Sequence, residues 1–431
     1  MPIVNFQLTK QVNSKYKKIG GWVLSSLALA SASTLALAAG PAPATSAPKS
    51  QVNTVPGMAA VLDADNLYSE TRSDQVLPAL KGDLERIYVP NLRGNNVTVI
   101  DPASLKVVDT FAVGRAPQHI VPSWDMRTLW VANNAERGND GSLTPVDPRT
   151  GKPGKAIPVD DPYNVYFTPD GLSTIVVAEA KHRLDFRDPK TLALQYAIEA
   201  PKCGGINHGD FSIDGRYAIF TCEFEGSVVK IDMVNRSVVG YLKLEMPKTR
   251  FKDSVKSPNP LETEICSVTK GMPQDIRIAP NGKLFYVADM EADGVHLLDG
   301  DSFKEVGFIA TGVAAHGLYP SRDAKQLYVA NRGSHSIHGK RHGPGSVTVI
   351  DFATNKVLSN WPVPGGGSPD MGNVSVDGKW LWLSGRFDDV VYRFDTGSGK
   401  VDQVGVGREP HGLAVWPQAG RYSLGHTGNF R

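Results

Sequence analysis

Strong charge of either sign is missing from this sequence. Its 46 lysines and arginines stand against 44 aspartates and glutamates, a formal charge of +2 over 431 residues. That balance lacks the basic footprint by which a protein holds nucleic acid or an anionic membrane, and it leaves a small ligand or a protein as the partner. Cysteine is scarce, at three residues, and none stands in a C-x-x-C-H haem-attachment motif. The chain also has no glycine-rich nucleotide loop and no nucleophile elbow. After the first 40 residues no stretch is apolar enough to span a bilayer.

The leader is of a different kind. Lys15, Lys17 and Lys18 precede "IGGWVLSSLALASASTLALAAG", which carries an A-x-A pattern at Ala36 to Ala38. Residues 1–38 are therefore expected to be a secretory signal, cut after Ala38. No cysteine follows the cut, so a lipoprotein anchor is not expected. Residues 39–84, beginning "AGPAPATSAPKS", read as a linker and N-terminal extension. The mature chain is expected to be periplasmic or secreted, without membrane insertion, where a disulfide can persist.

From residue 85 to the end one phrase repeats. An apolar strand leads to a turn written "PDG", "IDG", "PNG" or "VDG", then to a second strand such as "LWVAN", "FYVAD" or "LYVAN", then to a third such as "NVTVID" or "SVTVID". These runs alternate as strands do, and the turns suit tight hairpins. A unit of roughly 40 to 45 residues with four short strands is the signature of a propeller blade. Innermost strands are predicted to start near His119, Asn164, His208, Asp275, His316, Met371 and His411. The fold class is thus an all-β, seven-bladed β-propeller over residues 85–431, with 245–272 as a long connection between the fourth and fifth blades. Residues 411–416 are expected to pair with "RIYVPN" and close the ring. One strand, "RYSLGH", is left over; it either displaces "RIYVPN" or, as favoured here, folds across a face of the disc.

The segments "LYVAN", "LWVAN" and "FYVAD", each followed by V-x-V-I-D, resemble the YVTN-repeat β-propeller family over nearly all of the chain from residue 85. That resemblance is specific for fold and weak for function, because propellers host many activities.

The predicted strand starts form a ring at one mouth of the channel. His119, His208, His316 and His411, with Asp275, are candidate metal ligands there, joined by His426 if the C-terminal tail lies over the mouth, and by Cys222 if that residue stands beside His208. Imidazole suits copper, zinc, iron or nickel, with copper first in the affinity series. In the competing view the same histidines only bond a neighbouring blade's backbone. The histidine-at-inner-strand pattern resembles the copper-binding propellers of nitrous oxide reductase and thiocyanate dehydrogenase, which implies a copper ion as cofactor; Asn164 and Met371 depart from it, and no cupredoxin domain follows, so one or two ions are implied rather than a larger cluster. Arg332, Arg386 and Asn164 are expected to hold a small anionic substrate. His335, His338 and His342 sit in a loop at the same face, as do Arg93, Arg137 and Lys181, while His182 and His296 read as structural. Three cysteines allow three single disulfides. A Cys203–Cys266 bond would pin the long connection and leave Cys222 a thiol; a bond through Cys222 would remove it as a ligand.

Three functions follow: a metal-dependent oxidoreductase acting on a small anion or with a periplasmic redox protein; a non-enzymatic binding or scaffold propeller for a protein, cofactor or metal; and a lactonase-like hydrolase.

Overall fold

The computed structural model describes residues 51–136, 138, 140–247, 270–337 and 343–431. The signal segment, Arg137, Cys266, His338, His342 and most of the 245–272 connection lie outside the described residues. Among those described, no helix is long and apolar enough to cross a membrane.

Two polar turns recur in the blades, the first of them with a serine clamp in four of the seven. Between the first and second strands, Ser123, Ser212, Ser321 and Ser375 each donate to an aspartate two residues on, at 2.5–2.7 Å. The same hydroxyls accept from the backbone N–H five residues on, at 3.0–3.1 Å. This clamp fixes the hairpin, because serine and aspartate bond nearby backbone more readily than they join a ladder. After the third strand the aspartate of V-x-V-I-D takes over: Asp101 Oδ1 accepts from both the N–H and the hydroxyl of Ser104. Between the turns, second strands such as Leu129–Asn133 are buried along their whole length. Neighbouring blades cover both of their faces, which is why they read as unbroken apolar runs.

Seven antiparallel blades result, as the repeat predicts. Blade 1 is closed by the far end of the chain: Arg86–Asn91 pairs with Ala414–Trp416, with Tyr88 opposite Ala414 and Arg86 opposite Trp416. Blades 2 to 7 then begin with the inner strands Pro117–Pro122, Pro162–Phe167, Ile206–Phe211, Pro273–Ile278, Ala315–Pro320 and Pro369–Val374.

The leftover strand does neither of the things expected of it. Ser423–Gly425 and Asn429–Phe430 form a hairpin that adds to the inner edge of blade 3, with Gly425 opposite Tyr166. The inner strand's free edge faces the channel, so a strand entering there finds backbone partners; His426 N–H donates to Val165 O at 2.9 Å. Gly425 makes the approach feasible, since a Cβ at this position would collide with the Tyr166 backbone. Asp210 anchors the far end, accepting from Asn429 and Arg431, each at 2.9 Å. The N-terminal extension runs over the hairpin-turn face of the disc: Val55 N–H donates to Asp214 O, and Leu67 N–H to Pro280 O. It also meets the C-terminal segment, where Gly420 N–H donates to Gln75 O.

Candidate metal centre and mouth cavity

The serine clamps act as a ruler, because the first inner-strand residue pairs with the last residue of the second strand in each blade. Those first residues are Pro117, Pro162, Ile206, Pro273, Ala315, Pro369 and Pro410. Counted from them, His316 and His411 are second residues, whereas His119 and His208 are third. The four histidines therefore do not share one register, and the single ring of the sequence reading becomes two tiers. The offset lies in the sequence itself, with His208 two residues after Ile206 and His316 one residue after Ala315, and both blades share a pairing irregularity directly after the first residue. Bulges of this kind re-aim side chains.

The upper tier, of second residues, floors a cavity of about 690 Å³ at the mouth; Gln118, Tyr163, Gln274, His316 and His411 line it. Its centre is Asp370, which the sequence reading missed although it stands five residues before the Ser375 clamp. Asp370 accepts from Arg332 Nη2 at 2.8 Å and from His411 Nδ1 at 2.6 Å. His316 Nδ1 lies 3.0 Å from it, and the Nε2 of the same ring meets Arg332. Against the cost of burial, Arg332, His316 and His411 hold the Asp370 carboxyl well below its ordinary range. Burial pushes His316 down to about 3 and His411 down to about 4, so both rings are neutral. With Nδ1 donating to Asp370, His411 Nε2 is an acceptor, and the Tyr163 hydroxyl reaches it at 3.4 Å. His316 and His411 are thus spent on one hydrogen-bonded network, which corrects their assignment as ligands level with His119.

The lower tier holds third residues and the tip of the C-terminal hairpin. His119, His208 and His426 are fully buried, with ring centroids 5.2 Å (119 to 208), 4.6 Å (208 to 426) and 5.7 Å (119 to 426) apart. Ligand atoms of His208, Asp275 and His426 all lie within 4.8 Å of one another. Burial drives all three histidines well below their ordinary value. It raises Asp275 to about 6. Four ring nitrogens here lack a hydrogen-bond partner: both of His119, and Nε2 of His208 and of His426. Orphaned buried polar atoms cost about 1–3 kcal/mol each; His208 and His426, each with Nε2 unpartnered, cluster with Asp275 and fit a bound cation, while His119 stands beside that cluster against Gly412. The donor set, neutral imidazole with one carboxylate, suits a transition metal. His119 is fitted closely against the closing strand, where a Cβ on Gly412 would strike its ring.

The surroundings of these rings are unusual for a metal site. Asn164 Nδ2 stands 3.1 Å from His208 Nδ1, and its orientation is fixed because Val165 N–H donates to its oxygen at 2.8 Å. Arg277, also missed in the sequence, donates to His426 Nδ1 at 2.8 Å while facing Asp275 at 3.3 Å. Each neutral ring therefore carries its proton on Nε2, so an ion enters by displacing protons.

Other sequence expectations change as well. Cys203 is bonded to Cys222, with 4.7 Å between their Cα atoms. That replaces the expected Cys203–Cys266 bond and removes Cys222 as a ligand. Cys222 lies opposite Ile206, not His208, and both bonded cysteines sit in the core between blades 3 and 4. Asn164 supports His208 from the lower tier and does not line the cavity, so it is not a substrate contact. His335 pairs with Asp293 at 2.8 Å. His182, read as structural, lines the cavity. His296 is buried with Glu305 at 2.8 Å and Asp289 at 3.4 Å; these carboxylates overcome desolvation and raise it to about 9.

Arg386 lines the cavity, is 4% exposed and, among the described residues, pairs with Glu409 at 3.4 Å. Its Nε and Nη1 have no partner.

Over residues 263–421 the sequence is similar to the family described as YNCE-like beta-propeller. No curated protein matches it. Among solved structures it is similar to the dihydro-heme d1 dehydrogenase NirN in complex with DHE, at TM-score 0.54 and 15% identity over 77% of this chain and 75% of that one. Hydrazine synthase of Kuenenia stuttgartiensis aligns at TM-score 0.53 and 18% identity, over 77% and 97%. A Bacteroides uniformis protein provisionally assigned as a 6-phosphogluconolactonase aligns at TM-score 0.57 and 15% identity, over 76% and 98%. At these identities the likeness is one of fold, and the fold it supports is the β-propeller.

Proposed function

We propose that this chain is an exported metal-binding propeller with redox chemistry at its channel. The observation that carries the reading is the buried cluster of His208, Asp275 and His426, with Nε2 of both histidines unpartnered and the unbonded His119 ring packed against them. These residues hold one transition-metal ion, copper first by the affinity order; the ion supplies electron transfer when bound. Arg386 receives a small anionic substrate in the cavity above, and His411 with Tyr163 forms the floor between the two. The leader and the disulfide support a periplasmic or secreted location, and a periplasmic redox protein completes the electron path. Metal analysis of the purified mature protein, after separate exposure to copper, zinc and iron, tests this: about one ion per chain is expected, lost in His208→Ala. A chain that takes up no stoichiometric metal, and whose melting temperature none of these ions moves, overturns it.

A second reading rests on the Asp370–His411–Tyr163 arrangement, a base oriented by a carboxylate at the floor of a cavity. It is a metal-free, lactonase-like hydrolysis. Activity that survives complete chelation and falls in His411→Gln favours it over the first.

A further inference from the structure

We infer that the mouth cavity takes a dipolar small molecule, with a carboxylate on Arg386 and an ammonium group on Glu179 and Glu223. This deepens the anion-binding part of the proposed function and rests on it. The cavity walls are segregated by charge. Glu179 and Glu223 follow the second strands of blades 3 and 4, Arg386 follows that of blade 7, and all three line the cavity. In a ring of seven, blade 7 faces the junction of blades 3 and 4, so the acidic and basic walls stand across the mouth from each other. Neither wall is satisfied by the other, since no ion pair joins Arg386 to either glutamate among the described contacts.

Each wall lacks something a ligand would bring. Arg386 presents Nε and Nη1 without partners on different edges of a nearly fully buried guanidinium, and a carboxylate can accept a charge-assisted hydrogen bond from Nη1. Arg332 cannot serve instead, being committed to Asp370 and His316. On the other side, Glu223 is buried, and its oxygens accept only from neutral amides, Asn207 at 2.8 Å and Gln274 at 3.1 Å. Burial raises both glutamates, and the charges of Glu223 and Asp161 raise Glu179 further. A cation between them removes that repulsion. The volume, about 690 Å³, suits a small molecule.

The test is calorimetric titration of the full mature protein with unbranched ω-amino acids from glycine to 6-aminohexanoate, using the matching fatty acids and alkylamines as controls. One length is expected to bind at least tenfold more tightly than either control of that length. Arg386→Gln should abolish binding of the carboxylate controls, and the double variant Glu179→Gln with Glu223→Gln should reduce the amino acid to the affinity of its fatty acid. If that pair melts early, Glu179→Gln alone carries the measurement. A fatty acid binding as tightly as its amino acid, or an undiminished preference in the glutamate variants, overturns the inference. Running the series with metal-free and metal-loaded protein separates this result from the metal reading, because binding across the mouth uses no group of the lower tier.

Discussion

Two tiers of the inner strands, one residue apart, treat histidine in opposite ways. In the upper tier His316 and His411 are tied to Asp370 and Arg332, His316 through Nε2 to Arg332 and His411 through Nδ1 to Asp370. In the lower tier His119 has no partner for either ring nitrogen, and His208 and His426 each leave Nε2 free. Both tiers are buried and both hold a carboxylate, so burial and composition do not separate them. What separates them is the second component: an arginine and a carboxylate close the upper network on itself, while in the lower tier Arg277 and Asn164 offer only donors to rings that need an acceptor or an ion. A histidine's role here is decided by what its second nitrogen meets.

The largest effect expected is from cutting the C-terminal segment, which serves the two tiers differently. Removing residues 411–431 takes away the closing strand of blade 1 and His411, and the chain should show no cooperative thermal transition. Removing only 418–431 spares the closure but strips His426 from the lower tier, together with the buried Tyr422, Leu424 and Phe430. Three such side chains are worth about 5 kcal/mol or more. That shorter cut should leave a folded ring that melts well below the full chain and takes up no metal, with the mouth cavity still able to bind a ligand. Calorimetry on both truncations decides it; a 418–431 deletion that melts like the full protein would mean that the hairpin does not occupy the channel.

The repeat made the seven blades and the velcro between residues near 87 and 415 legible, because turn residues and strand lengths are local. The tiers were less legible for a physical reason. Aligning the four histidines on each other hides the one-residue offset, whereas counting back from the clamping serine, five residues to His316 and four to His119, exposes it and picks out Asp370. Glu179 and Glu223 could be found similarly, as acids directly after buried second strands. The path of "RYSLGH" into the channel had no local signal: it depends on the open inner edge of blade 3 and on Asp210, more than 200 residues away in the chain. The disulfide likewise depends on strand pairing, which sets Cys203 beside Cys222.

A smaller effect tests the contrast between tiers directly. His411→Leu leaves Asp370 short of a donor and should cost about 1–3 kcal/mol, with metal uptake little changed. His119→Leu removes a ring that has no hydrogen bond to lose, so stability should hold or rise slightly while metal affinity falls sharply. Melting temperature and metal content on the two variants give a crossed pattern if the tiers differ as described. If both variants lose stability alike and neither loses metal, the histidines are repeat structure in both tiers.

The finest test changes the lower tier into the upper tier's chemistry. Ligating histidines ordinarily donate their second N–H to a carboxylate or carbonyl, and such partners typically change metal affinity about 10–100-fold. Asn164 does the reverse to His208: its amide nitrogen faces Nδ1 at 3.1 Å while its oxygen is held by Val165 N–H. In Asn164→Asp the backbone bond is kept and a carboxylate oxygen replaces the amide nitrogen, so the His208 proton moves to Nδ1 and Nε2 is freed for the ion. Copper affinity should then rise by about 10-fold or more, and the gain should vanish when His208 is also replaced. The metal-free variant should melt lower than the parent, since a new buried charge has no cation to face, and loading should raise its melting temperature by more than it raises the parent's. An affinity that stays level or falls in a variant that still folds would place the ion away from His208.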